Sequence, residues 1–232
     1  IIFISIGVEE FTVGPAADQA VVSSIAISKS GNGGRTWNEP VSSFRSGISK
    51  NLSPGPDGQL QGDIAISFLD KPWLGIGPSK EDPSIDAIYV TMTEFTERFP
   101  IIFPFGGNFP FFGVPVLETA IKVVSSTDGG QTWSESATAS PVVRRIFASG
   151  GSSEEDINGE VDSKKLQAAP SNAIGTQRVL QGSQPAVGPD GSVYVTWLDS
   201  TDDDSMEGLA ENYIARSDDG GKTFGMPVRT SV

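Results

Sequence analysis

The chain has 232 residues, with 16 basic and 29 acidic side chains, a formal net charge of −13, and neither cysteine nor histidine. The acidic excess runs through both halves, 7 basic against 12 acidic groups in residues 1–116 and 9 against 17 in residues 117–232, so a nucleic-acid or anionic-membrane surface is not expected. The missing thiols and imidazoles exclude disulfides, thiolate or imidazole catalysis and cysteine-based zinc sites, which leaves carboxylates, hydroxyls, Lys, Arg or an oxygen-held metal for any chemistry.

The chain opens on IIFISIGV (1–8), far shorter than the roughly 20 residues that span a bilayer. No basic segment precedes it, so it does not read as a signal peptide, and no transmembrane segment is expected. A second apolar run, AVVSSIAIS (20–28), leads into SGNGGRTW, Ser30 to Trp37. Further on come LQGDIAISFLDKPWLGIGP (60–78), AIYVTMTEF (87–95), TAIKVVSS (119–126) and STDGGQTW, Ser126 to Trp133. The order repeats as LQGSQPAVGPDG (180–191), SVYVTWLD (192–199), ENYIARS (211–217) and SDDGGKTF, Ser217 to Phe224. The aromatic plugs are spaced by 96 residues (Trp37 to Trp133) and then 91 (Trp133 to Phe224).

Each box follows a run of alternating or continuous apolar character, which predicts a turn leaving a strand. Gly-Gly supplies φ > 0 at little steric cost, and a short Asp or Asn accepts hydrogen bonds from the turn's own amides. The terminal Trp or Phe folds back as an apolar plug. The expected unit is inner strand, second strand, third strand, box, fourth strand. IIFISIGVEEF (1–11) matches AIYVTMTEF, so the first unit starts at its second strand. Repeated four-stranded units without helical periodicity suggest propeller blades.

The pattern S-x-D-x-G-x-T-W/F resembles the Asp-box, or bacterial neuraminidase repeat. STDGGQTW and SDDGGKTF match it fully, and SGNGGRTW departs at Asn32. The resemblance implies an all-β, sialidase-like β-propeller, usually six-bladed. It divides the chain into blades at 1–55 (incomplete), 56–147 and 178–232, with a polar excursion at 148–177. It makes Ser30, Asn32, Trp37, Ser126, Asp128, Trp133, Ser217, Asp219 and Phe224 structural corner residues on the face away from the active site, with the three plugs expected to be largely buried.

Loops on the opposite face are then the ones to read for function. The segment 96–117 carries Phe99, Phe103, Phe105, Phe109, Phe111 and Phe112 among four prolines. It is expected to be a loop that folds on itself or meets a protein partner or further subunits; its prolines argue against a regular central strand. The segment 199–212 clusters Asp199, Asp202, Asp203, Asp204 and Glu207. A solvated acidic loop is preferred there, and calcium held by Asp199, Asp202, Asp204 and Glu207 is the alternative.

Sialidases use a Tyr nucleophile paired with Glu, an Asp acid/base and three arginines, one in an F/Y-R-I-P motif. That motif is absent; FRSG (44–47) and RRIF (144–147) do not reproduce it. Tyr89 and Tyr194 fall in expected strands, and only Tyr213 stands beside an acid, Glu211, on one strand face. The favoured expectation is a non-catalytic extracellular or cell-surface module that binds a protein or glycan partner. The alternative is an exo-sialidase-type hydrolase whose arginines lie outside this segment. With an apolar strand at one end and an uncovered blade at the other, the chain is expected to be a segment of a larger propeller or one contributor to a composite ring.

Overall fold

The computed structural model describes residues 2–8, 21–103, 110–146, 179–200 and 210–230. Every regular element among them is a strand, paired antiparallel with its neighbours. The first group contains β1 (Ile2–Val8), β2 (Val21–Lys29) and the first half of β3 (Val41–Pro54). The middle group contains the second half of β4 (Leu60–Pro78), the first half of β5 (Asp86–Phe103), β7 (Val116–Ser126) and the short β8 (Ala137–Thr138). The last sheet is β10 (Leu180–Val187), β11 (Val193–Asp199), β12 (Glu211–Ser217) and β13 (Val228–Arg229), in chain order.

The middle group is the central layer, and its sequence dictates this. From Ala87 to Thr93 no residue of β5 is exposed on either face, the pattern of a strand covered on both sides. The two-residue period of a strand sorts its side chains. Ala87 and Tyr89, with Ile121 and Val123 of β7, join Leu180, Val193, Val195, Trp197 and Ala215 of the last sheet in one core. Val90 and Met92, with Val124 of β7 and Leu69 of β4, meet Ile25 and Ile27 of β2 in the other, against which Ile2 and Ile4 also pack. Two alternating glycines set the approach of β4 to β10: a Cβ on Gly77 would lie 2.5 Å from the Cβ of Val187, and one on Gly75 would lie 3.0 Å from the carbonyl of Pro185. Among the described residues the sheets do not close into a ring or barrel, and the second edge of β1 has no strand partner.

The segment 96–117 departs from the expected loop. β5 continues through Phe103, β7 begins at Val116, and β6 (Phe111–Phe112) pairs back onto Ile101 and Ile102. With the second half of β3, the first half of β4 and β9 (Val143–Ile146), these strands form an arm that extends the sheet. Pro100 lies inside β5 despite the expectation that proline would forbid it. A strand residue's N and O point to the same side, and the Pro100 carbonyl accepts from Gly113 N at 2.8 Å. The missing N–H therefore faces the irregular 113–115 stretch between β6 and β7, not the ladder to β4. Residues 104–109, with Phe105 and Phe109, lie outside the described residues, as does the 148–177 segment.

β4 serves both arm and central layer through a bulge. Its register with β5 shifts between Asp70 and Trp73, and Lys71 there has φ 47°, the only positive φ at a non-glycine among the described residues. The bulge re-aims the strand where it passes from one body to the other.

Candidate functional site

The three boxes build the same closed network. The Ser30, Ser126 and Ser217 hydroxyls accept from Gly34 N (2.8 Å), Gly130 N (2.9 Å) and Gly221 N (2.8 Å). Those hydroxyls donate to Oδ1 of Asn32 (3.0 Å), Asp128 (2.7 Å) and Asp219 (2.7 Å). The same Oδ1 atoms accept from the next two non-glycine amides: Arg35 and Thr36, Gln131 and Thr132, Lys222 and Thr223. The Thr132 and Thr223 hydroxyls donate to the second carboxylate oxygen at 2.6 and 2.5 Å. At Asn32 the last bond reverses, with Nδ2 donating to Thr36 Oγ1 at 2.8 Å.

A carboxylate that accepts this many bonds is held in its charged form. The Thr132 hydroxyl, then the Thr132 amide and the Ser126 hydroxyl, hold Asp128 well below the usual carboxylate range. Burial alone would raise Asp219, but Thr223, Ser217 and the Lys222 amide bring it down to about 2. Each box joins two neighbouring antiparallel strands, β2 to β3, β7 to β8 and β12 to β13.

Two of the three plugs lie on a core that the preceding sheet helps to build. Trp133 packs on the core that includes Ile25 and Ile27 of β2, and Phe224 packs on the core that includes Ala87 and Tyr89 of β5. Both are half-buried. Trp37 was expected to be buried as well, but it is 43 % exposed. No sheet precedes the first one among the described residues, so none of them supplies this plug with a preceding core.

A cleft of about 360 Å³ lies between the second and third boxes, lined by Trp133, Thr132, Tyr89, Asp219 and Lys80 among others. Its rim is crossed by an ion pair between Lys222 and Glu81. Burial, then the nearby Glu81 charge, raises the Tyr89 phenol, so it stays a neutral donor.

The arm is two-faced. Cross-strand pairing puts Leu60, Ile64, Ile66 and Phe68 of β4 on the face of Phe95, Phe99, Ile101 and Phe103 of β5, with Phe112 of β6. Phe68 stacks on buried Phe95 with ring centroids 4.9 Å apart, and Phe112 is 64 % exposed. On the other face Phe111, opposite Ile102, is 68 % exposed. That face also carries an ion cluster centred on buried Glu118. Its carboxylate accepts from Arg98 Nε at 2.6 Å and Arg144 Nε at 2.7 Å, and Arg98 also reaches Asp63 at 3.1 Å. Burial would lower the Arg98 guanidinium, but Glu118 and Asp63 raise it on balance. Sequence reasoning missed this cluster. The usable signal was the alternation of LQGDIAISF and ERFPIIF, which continues the strand pattern beyond Phe95.

Of the four residues of the calcium alternative, Asp199 alone falls among the described residues. Asp199 is buried at the end of β11, opposite Leu180 and Glu211, and Asp202, Asp204 and Glu207 lie outside the described residues. Among the described residues no three carboxylates cluster to hold a metal. Tyr213 does meet Glu211, its hydroxyl donating to Oε2 at 3.1 Å. Glu211 is also paired with Arg229, and the Tyr213 ring stacks on buried Trp197 at 6.3 Å, so the pair is tied into a structural cluster. No helix among the described residues is long and apolar enough to cross a membrane.

No family profile matches the chain, and no curated protein matches it. Among solved structures it is similar to a protein of unknown function from Dyadobacter fermentans DSM 18053, at 13 % identity and a TM-score of 0.29. The match covers 90 % of this chain and 59 % of that one, a likeness too low to carry an argument about fold or function.

Proposed function

We propose that the chain is part of a sialidase-like Asp-box propeller and works as a non-catalytic extracellular or cell-surface module that docks a protein partner on its arm. The carrying observation is the apolar face of the arm, where Leu60, Phe68 and Phe112 are exposed beside half-buried Phe99 and Phe103. Aromatic side chains grouped on one sheet face are what protein interfaces enrich. Phenylalanine has no polar handle, which favours a protein over a glycan on this face. The box repeats, with three sheets packed in chain order, support the propeller reading.

The hydrolase reading draws on the Tyr213–Glu211 hydrogen bond. A fluorogenic sialoside assay on the intact protein separates the two readings. No turnover above a Tyr213→Phe control is expected; efficient turnover abolished by that substitution would reverse the assignment. Replacing Phe68 and Phe112 with Ser is expected to remove partner binding without lowering activity of any kind.

A further inference from the structure

We propose that Asn32 is a self-modification site: the first box converts its own Asn32 to aspartate, by spontaneous deamidation through Gly33. The substrate is the side-chain amide, and water is the co-reactant. Three observations combine. Asn32 is followed by glycine, and both are exposed. The Gly33 amide makes no hydrogen bond among the described residues. A Cβ at Gly33 would meet nothing within 4 Å, so the glycine side of this peptide lies open for water to reach.

The box also arms the amide. Asn32 Oδ1 accepts from the Ser30 hydroxyl and from the Arg35 and Thr36 amides, at 3.0, 3.1 and 3.0 Å. Donors grouped on a carbonyl oxygen stabilise the oxyanion that forms when its carbon is attacked. The departing nitrogen, Nδ2, sits 2.8 Å from the Thr36 hydroxyl.

The step balances as follows. Gly33 N loses its proton to solvent and bonds to Asn32 Cγ; the Cγ–Nδ2 bond breaks, and Nδ2 takes up a proton and leaves as ammonia. Water then opens the cyclic imide. Opening at Cγ gives aspartate, and opening at the backbone carbonyl gives isoaspartate.

The product is already accommodated by the fold. Asp128 and Asp219 occupy the same position in the other boxes, with their threonine hydroxyls turned to donate at 2.6 and 2.5 Å. Only a rotation of the Thr36 hydroxyl is needed to receive a carboxylate there. Isoaspartate adds a methylene to the main chain and breaks the register of Oδ1 with the Arg35 and Thr36 amides. The box therefore favours aspartate.

The test is peptide mapping by mass spectrometry of the purified chain during incubation at mildly alkaline pH. A synthetic peptide of residues 28–38 is the unstructured reference, and Asn32→Gln is the negative control. The expected result is conversion at Asn32 at least as fast as in the peptide, with aspartate the major product. An Asn32→Asp variant should melt at a higher temperature than the freshly purified chain. Conversion more than about tenfold slower than in the peptide, or isoaspartate as the major product, overturns the proposal.

Discussion

Gly221→Ala is the sharpest probe of the packing between the third box and the central layer. Gly221 has φ 83°, and an added Cβ would lie 3.1 Å from Cε1 and 3.3 Å from Cδ1 of Tyr89, a ring that is 1 % exposed and held in the core. The backbone conformation alone costs an alanine about 1–2 kcal/mol. Overpacking a fixed ring adds about 1–3 kcal/mol. Gly33→Ala isolates the first contribution, because Gly33 has φ 76° and open space around the added carbon. The difference between the variants is therefore about 1–3 kcal/mol, a midpoint gap of about 0.3–1 M if the urea slope is about 3 kcal/mol per molar. Urea titration followed by the fluorescence of buried Trp197 reads it. Equal midpoints for the two variants, or a lower one for Gly33→Ala, would refute the packing of one box on the preceding sheet's core.

Glu118→Gln removes the shared charge from Arg98 and Arg144, but both guanidiniums are partly exposed and Arg98 keeps Asp63, so the expected cost is about 1–2 kcal/mol, read as a fall in the urea midpoint. The Asp219 carboxylate, lowered to about 2 from 3.8, contributes stability that is fully present above pH 4 and lost as pH falls towards 2. Asp219→Asn should flatten the pH dependence of stability in that window by about one proton, measured by acid titration of the melting temperature. Replacing exposed Phe112 with Ser should leave the melting temperature nearly unchanged, whereas Phe68→Ser also removes the stack on buried Phe95 and should cost about 1–2 kcal/mol; a much larger fall would mean that the face is covered within the chain.

Much of the strand plan could be read from the residues. AIYVTMTEF and TAIKVVSS announce a strand pair buried on both faces, because they lack the polar alternation of a half-solvated sheet. The boxes carried their own geometry: Ser, Asp, two glycines and Thr are a self-contained set of donors, acceptors and φ > 0 positions. The arm was not legible, since the prolines near Phe99 read as strand breakers. Only the three-dimensional course of β6 shows that the Pro100 nitrogen faces a gap in the ladder. Burial of Trp37 was misjudged for a related reason: a plug is buried by the sheet before it, and the repeat pattern says nothing of which sheet is there.

Site-specific photo-crosslinking from the arm tests the docking proposal most directly. A benzophenone amino acid placed at Phe112, and as a control at Met226, which is 91 % exposed on a different part of the fold, would be irradiated in the cells that make the protein. The expected result is one discrete protein adduct from position 112, absent from position 226 and lost when Phe68 is also changed to Ser. The same diffuse adducts from both positions, or an adduct indifferent to Phe68, would contradict a docking surface on the apolar face.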